Sequence, residues 1–191
     1  MIYPKLISRY IKVIKTTKAM KYIKLFENFE EYDIYELMIT PPNKKAEMIM
    51  KEIKKSEPNL NLVQDLINMG ADINWYDEKD YNYTPLHAAS DWNRPEVVKM
   101  LIDAGAELNV QTKGGLTPLH RTIRMSNSEV AKILIDAGAD LNIQEVHGWT
   151  PLHWAIEYKE NEIKQMLIDA GAMRDIKDNR GIKPFDLIDS Y

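Results

Sequence analysis

Apolar residues recur in short, evenly spaced sets along most of this chain. Between Glu129 and Ala137, Val130, Ile133 and Leu134 share one helical face, and Leu62, Val63, Leu66 and Ile67 form the same stripe upstream. The segment before each such stripe follows a second pattern. Thr117 suits a helix N-cap, because its hydroxyl can accept an otherwise unpaired backbone N–H. Pro118 suits the first helical position, where its missing N–H costs nothing. This predicts a short helix from Pro118 through about Met125, a break at Ser126-Asn127-Ser128, and a second helix over Glu129–Ala137. Gly138 ends that helix in the left-handed conformation, and Asp140-Leu141-Asn142-Ile143 is extended. Gly148 then turns the chain into the next Thr-Pro. The predicted unit is helix, turn, helix and extended finger.

A different pattern occupies the N-terminus. Ile7, Ile11 and Ile14 form a stripe with Leu6, Tyr10 and Val13 beside it, opposite Lys5, Arg9, Lys12 and Lys15. This predicts an amphipathic helix over residues 2–15, and a second helical stretch from about Lys21 to Glu31.

The unit repeats. Thr84-Pro85-Leu86-His87 recurs as Thr117-Pro118-Leu119-His120 and Thr150-Pro151-Leu152-His153, with a worn copy at Lys183-Pro184-Phe185-Asp186, each step being 33 residues. Gly105-Ala106, Gly138-Ala139 and Gly171-Ala172 keep the same step, whereas Gly70-Ala71 lies 35 residues before the next pair. One boundary therefore holds two extra residues. A fixed period of this length is the mark of stacked repeats. The expected organisation is a basic helical extension or cap over residues 1–39 and a repeat domain over 40–191. Within that domain lie a degenerate first repeat at 44–73, full repeats at about 82–114, 115–147 and 148–180, and a half repeat at 181–191. The end units are expected to have polar outer faces and to cap the stack.

With these motifs at this spacing, the chain resembles the ankyrin repeat family over about residues 44–191. The matching segments are Thr84–Asn109, Thr117–Asn142 and Thr150–Asp175. The resemblance implies an all-α helix–turn–helix solenoid with short β-hairpin fingers. It departs from the family at the turn between the two helices, where Asn93, Ser126 and Lys159 replace the favoured Gly, and at Asn82, which replaces the finger Gly.

Charge and composition narrow the function. The chain has 191 residues, 29 acidic against 25 basic side chains, and no cysteine. Residues 1–26 carry seven bases and no acid, which leaves residues 27–191 at −11. A body this acidic repels phosphate backbones, so nucleic acid is not expected as a ligand. Absent cysteine rules out disulfides, thiolate zinc sites and cysteine nucleophiles, and permits a reducing compartment. No apolar run reaches membrane-spanning length, and bases every three or four residues interrupt any secretory h-region. A cytoplasmic location is expected.

Catalytic and metal signatures are absent. His87, His120 and His153 recur in the repeated motif, so a hydrogen bond tying neighbouring units explains them better than metal binding. Asp77, Glu78 and Asp80 fail the EF-hand count, since a loop opened at Asp77 has Ala88 at its twelfth position. No nucleotide-binding loop, nucleophile elbow or zinc-protease motif occurs. The expectation is a non-enzyme with no cofactor and no metal.

The residues that differ between repeats carry the candidate site. Asp91, Arg124 and Glu157 close the first helices and alternate in sign. Trp92, Met125 and Tyr158 run beside them, and Tyr83, Leu116, Trp149 and Ile182 precede each Thr or its equivalent. The last two sets read as apolar ladders, the usual mark of an interface. The resemblance implies that finger tips and the exposed face of the first helix form the recognition surface. Trp75, Tyr76, Tyr81 and Tyr83 enrich the long finger, and His147 sits at another tip. The expected partner-binding set is Tyr76, Tyr81, Tyr83, Asp91, Trp92, Arg124, Met125, His147, Trp149, Glu157 and Tyr158. Trp154, beside Arg121, is read as packing between repeats.

The expected function is a protein-binding module, monomeric, gripping through its concave face another protein that carries a basic patch. The alternatives are an inhibitor or neutralising partner of an enzyme or toxin, and a scaffold tethered to a membrane surface by residues 1–19. Translation from Met20 would remove that segment.

Overall fold

A computed structural model describes residues 34–76 and 81–189. The chain divides into two compact units, Met1–Thr40 and Pro41–Tyr191. In the first, helix α1 (Ile34–Ile39) is described. The helices expected over residues 2–15 and from Lys21 to Glu31 lie outside the described residues, as do Asp77, Glu78 and Asp80.

The second unit is built of helix pairs. They are α2 (Pro42–Ile53) with α3 (Leu60–Asn68), α4 (Pro85–Asp91) with α5 (Pro95–Asp103), α6 (Pro118–Arg124) with α7 (Ser128–Asp136), and α8 (Pro151–Glu157) with α9 (Asn161–Asp169). Each first helix packs on the next, α2 to α4 to α6 to α8, and each second helix does the same, giving two rows. The half repeat contributes one 3₁₀ segment, Pro184–Asp189, against α8 in place of an α-helix.

Between the rows lies the core. Leu86, Leu119 and Leu152, the Leu of each Thr-Pro-Leu-His, are buried with Ala88, Ala89, Ile123 and Ala155. Val97, Val98, Leu101, Val130, Ala131, Leu134, Ile163 and Leu167 face them. Small residues beside large ones let adjacent rows close without voids. Ile133 and Ile67, assigned from the pattern to buried faces, are half-buried; Ala131 and Asp65 take the buried positions in their helices.

The repeated Thr and His form one device, used three times. In α4 the Thr84 hydroxyl accepts the His87 backbone N–H at 3.4 Å, while the imidazole Nδ1 accepts the Thr84 backbone N–H at 3.3 Å. Nδ1 also lies 2.8 Å from the Thr84 hydroxyl. That leaves the proton on Nε2, which donates to the Leu116 carbonyl of the next repeat at 3.0 Å. His120 reaches the Trp149 carbonyl and His153 the Ile182 carbonyl, each at 3.2 Å. The imidazole thus caps its own helix and ties it to the following finger.

Further ladders join the units. Asn74, Asn109 and Asn142 accept the backbone N–H of Glu107, Asp140 and Met173 in the next repeat. Gln111 and Gln144 donate to their own finger and to the next, at Gln144 and Lys177. The finger backbones connect directly through Lys113 N–H to Tyr81, Val146 to Gly114 and Asn179 to His147. The fingers close as tight turns, Thr112 to Leu116, Glu145 to Trp149 and Asp178 to Ile182, with no continuous strand ladder among the described residues.

Turn chemistry follows position more than residue type. Asn93, Ser126 and Lys159 join the paired helices at φ 49°, 57° and 60°, and Asn82 takes the finger position at 62°. At Gly148 a side chain is excluded on two counts: φ is +83°, and a Cβ would fall 2.7 Å from the backbone N of Asn179.

Burial pushes the His87 and His120 imidazoles down to about 4, against a partial opposing effect of their carbonyl partners. The unfolded chain binds protons from about pH 6.5, and the folded chain does so only near pH 4. Stability therefore rises with pH between those limits, by about 3 kcal/mol for each imidazole. Urea midpoints measured from pH 7 to pH 4.5 are expected to fall steadily. His120→Ala is expected to cost about 2–4 kcal/mol at pH 7 and to flatten that slope.

Candidate functional site

Two grooves open between the fingers and the first helices. The first, about 540 Å³, is lined by Lys54, Tyr81, Tyr83, Trp92, Thr112, Gly114, Leu116 and Arg121. The second, about 430 Å³, is lined by Glu145, His147, Trp149, Trp154, Tyr158, Asn179 and Arg180. Tyr83, Leu116, Trp149 and Ile182 share one register, as do Trp92, Met125 and Tyr158, so the grooves are related positions two repeats apart.

Register decides exposure. Trp92, Met125 and Tyr158 are the C-cap residues of α4, α6 and α8, and they stand 46%, 47% and 47% exposed. A C-cap residue sits past the last buried turn, so its side chain leaves the core whatever its polarity. Arg124 and His147 are exposed, as are Tyr76 and Tyr81, whereas Asp91 and Glu157 are half-buried. Tyr83, Leu116, Trp149 and Ile182 are half-buried too, which corrects the reading of that set as an open apolar ladder. The carbonyls of Leu116, Trp149 and Ile182 accept from the preceding repeat's histidine, and the rings of Tyr83 and Trp149 stack on their own repeat's imidazole. Tyr83 lies 5.4 Å from His87, and Trp149 lies 6.3 Å from His153.

Each of these two rings is held by a carboxylate and covered by a guanidinium. The Tyr83 hydroxyl donates to Asp91, Arg121 donates to the same carboxylate oxygen, and the Arg121 Cζ lies 5.2 Å from the Tyr83 ring centre. Burial, and then the Asp91 carboxylate, push the Tyr83 phenol well above its ordinary value. Asp91 thus pairs with Arg121 of the next helix, an ion pair that the alternation Asp91, Arg124, Glu157 did not contain. At the other end Trp149 Nε1 donates to Asp178 Oδ2 at 3.1 Å, and Arg180 Nε donates to it at 3.0 Å. The Arg180 Cζ lies 6.0 Å from the Trp149 ring. Asp178 Oδ1 accepts the backbone N–H of Ile182 and of Arg180. Burial opposes the Asp178 charge, but the donors from Ile182, Trp149 and Arg180 outweigh it and bring its pKa down to about 2.

The second groove has an aromatic wall of its own. Trp154 meets His120 edge-on at 5.8 Å and tilts against Tyr158 at 5.4 Å. Its indole N–H is buried with no acceptor. Trp154 therefore packs against the preceding repeat and also lines the groove. Pattern reading missed Lys54, Glu145, Asp178, Asn179 and Arg180 as lining or bracing residues. Their signal was present in register, since Thr112, Glu145 and Asp178 occupy one position of the repeat and differ in kind.

Among the described residues no cluster of His, Asp and Glu is arranged to hold a metal, and no helix is long and apolar enough to cross a membrane. The family model for ankyrin repeats, three copies long, matches residues 27–112 and 104–179. The chain belongs to the ankyrin repeat family. It is also similar to a protein of Acanthamoeba polyphaga mimivirus named as an ankyrin repeat protein, 42% identical over 58 residues. That match covers 29% of this chain and 36% of the relative, so it spans little more than a third of that protein's length. Ankyrin repeats are as a class modules of protein–protein interaction and typically non-enzymatic.

Asp178 offers a direct test of how this ankyrin surface is braced. Its folded pKa is depressed, so its stabilisation is complete above about pH 4 and is lost as pH falls toward 2. Asp178→Ala frees the Trp149 indole and leaves two finger N–H groups unpaired. The expected cost is about 2–3 kcal/mol in urea unfolding at pH 7, with a shifted Trp149 indole resonance.

Proposed function

We propose that this ankyrin chain is a non-enzymatic module that grips a partner protein through its concave face and finger tips. The observation that carries the reading is the line of Trp92, Met125 and Tyr158, each about half exposed and flanked by an aromatic-lined groove at either end. Large rings held open on a rigid scaffold lose little entropy when covered, so a few of them can supply most of an affinity. Tyr81, Tyr76 and His147 extend the surface onto the finger tips. Asp91, Arg124 and Glu157 set orientation, and Tyr83 and Trp149 form the groove walls. The −11 charge of residues 27–191 favours a partner with a basic patch and disfavours nucleic acid. The cysteine-free chain suits work in the cytoplasm, as a monomer.

The test is a triple variant, Trp92→Ala/Met125→Ala/Tyr158→Ala, used beside the unaltered chain in affinity purification followed by titration of the protein retained. Since these residues lie outside the core, the urea midpoint should change by less than about 1 kcal/mol. Affinity should drop by a hundredfold or more, on the order of 2 kcal/mol or above for an anchor residue. Unchanged retention by the folded variant would refute the surface.

A further inference from the structure

Glu145 and Asp178 are equivalent residues whose second carboxylate oxygens have different company. At Asp178, Oδ1 is taken by two finger N–H groups, and Oδ2 by the Trp149 indole and the Arg180 guanidinium. At Glu145, Oε1 is likewise taken by two finger N–H groups, of His147 at 3.0 Å and Trp149 at 3.1 Å. The two donors that would serve the second oxygen have changed identity: Leu116 stands where Trp149 would be, and His147 where Arg180 would be. Among the described residues no cation pairs with Glu145, although it is buried and lines the second groove. The Trp154 and Tyr158 rings line the same groove.

The chain twice completes such a set for itself, as Asp91 with Tyr83 and Arg121, and as Asp178 with Trp149 and Arg180. In each, a guanidinium lies over a ring while donating to a carboxylate. The second groove supplies a fixed carboxylate and rings but no guanidinium for Glu145.

We propose that this groove receives an arginine side chain of the partner protein, its guanidinium donating to Glu145 and its methylenes lying along Trp154 and Tyr158. A guanidinium is preferred to an ammonium because its plane stacks on rings and its dispersed charge is more easily stripped of water. The carboxylates lining or bracing the groove are Glu145 and Asp178, and Arg180 already serves Asp178, so the excess charge is negative. This inference rests on the binding reading above and names one contact within it.

The test uses the full chain and N-acetyl-arginine amide as probe, read from the indole N–H resonances of the four tryptophans. Saturable shifts are expected at Trp154 and Trp149, with Trp92 and Trp75 unmoved. N-acetyl-lysine amide is expected to bind several-fold more weakly. Glu145→Gln keeps an acceptor for the two finger N–H groups, so it should stay folded with an unchanged urea midpoint while binding the probe at least tenfold more weakly. No saturable shift, a shift centred on Trp92, or equal binding by folded Glu145→Gln would overturn the proposal. If partner capture is lost in the Trp92/Met125/Tyr158 variant and kept in Glu145→Gln, the arginine site falls and the binding surface stands.

Discussion

A buried imidazole with both nitrogens occupied holds this structure in register. Nδ1 faces back to the Thr of its own helix, and Nε2 faces forward to a carbonyl 29 residues on. Protonating Nδ1 breaks the bond within the unit, and rotating the ring breaks the bond between two units as well. Because a stack of helix pairs has no long-range sheet or disulfide to fix it, errors of placement would otherwise add from unit to unit. The imidazole ties α4, α6 and α8 each to the next finger, the two kinds of element between which the grooves open.

The same tie explains why Leu116, Trp149 and Ile182 are half-buried. Each of their carbonyls must approach the preceding histidine, which draws the side chain in beside the stack; Tyr83, with no histidine before it, is held instead by its ring and hydroxyl. Tyr83 and Trp149 then need partners for their polar atoms, and Asp91 and Asp178 supply them. Those carboxylates in turn need Arg121 and Arg180. Bracing of the Trp149 wall is thus a sequel of the stacking bond, the Tyr83 wall is braced without one, and the next register, at Trp92, Met125 and Tyr158, stays open.

Much of the fold was legible from periodicity alone. The Thr-Pro pairs start α4, α6 and α8 where the N-cap argument puts them, and the break at Ser126 falls at a left-handed residue. Exposure was harder to read. Local pattern cannot separate a ring that protrudes, such as Trp92, from one folded back by a partner in another repeat, such as Trp149. The bonds that decide this join residues about 30 apart, as in Asp91 with Arg121 and Trp149 with Asp178. Comparing equivalent positions across repeats would have exposed the Thr112, Glu145, Asp178 series, because a change of side chain at a fixed place in the unit changes what that place can bind.

All three imidazole bonds run in the same direction, from each Thr-Pro-Leu-His unit to its successor, and Leu116, Trp149 and Ile182 present the same kind of carbonyl to receive one. Excising a single 33-residue block would therefore bring a donor to a matching acceptor, much as removing one carriage leaves the couplings of a train compatible. Length can change by whole blocks without inventing a new joint. What such a change would alter is the distance separating the Trp92 end from the Tyr158 end, so chain length acts as a ruler for the span of whatever is held.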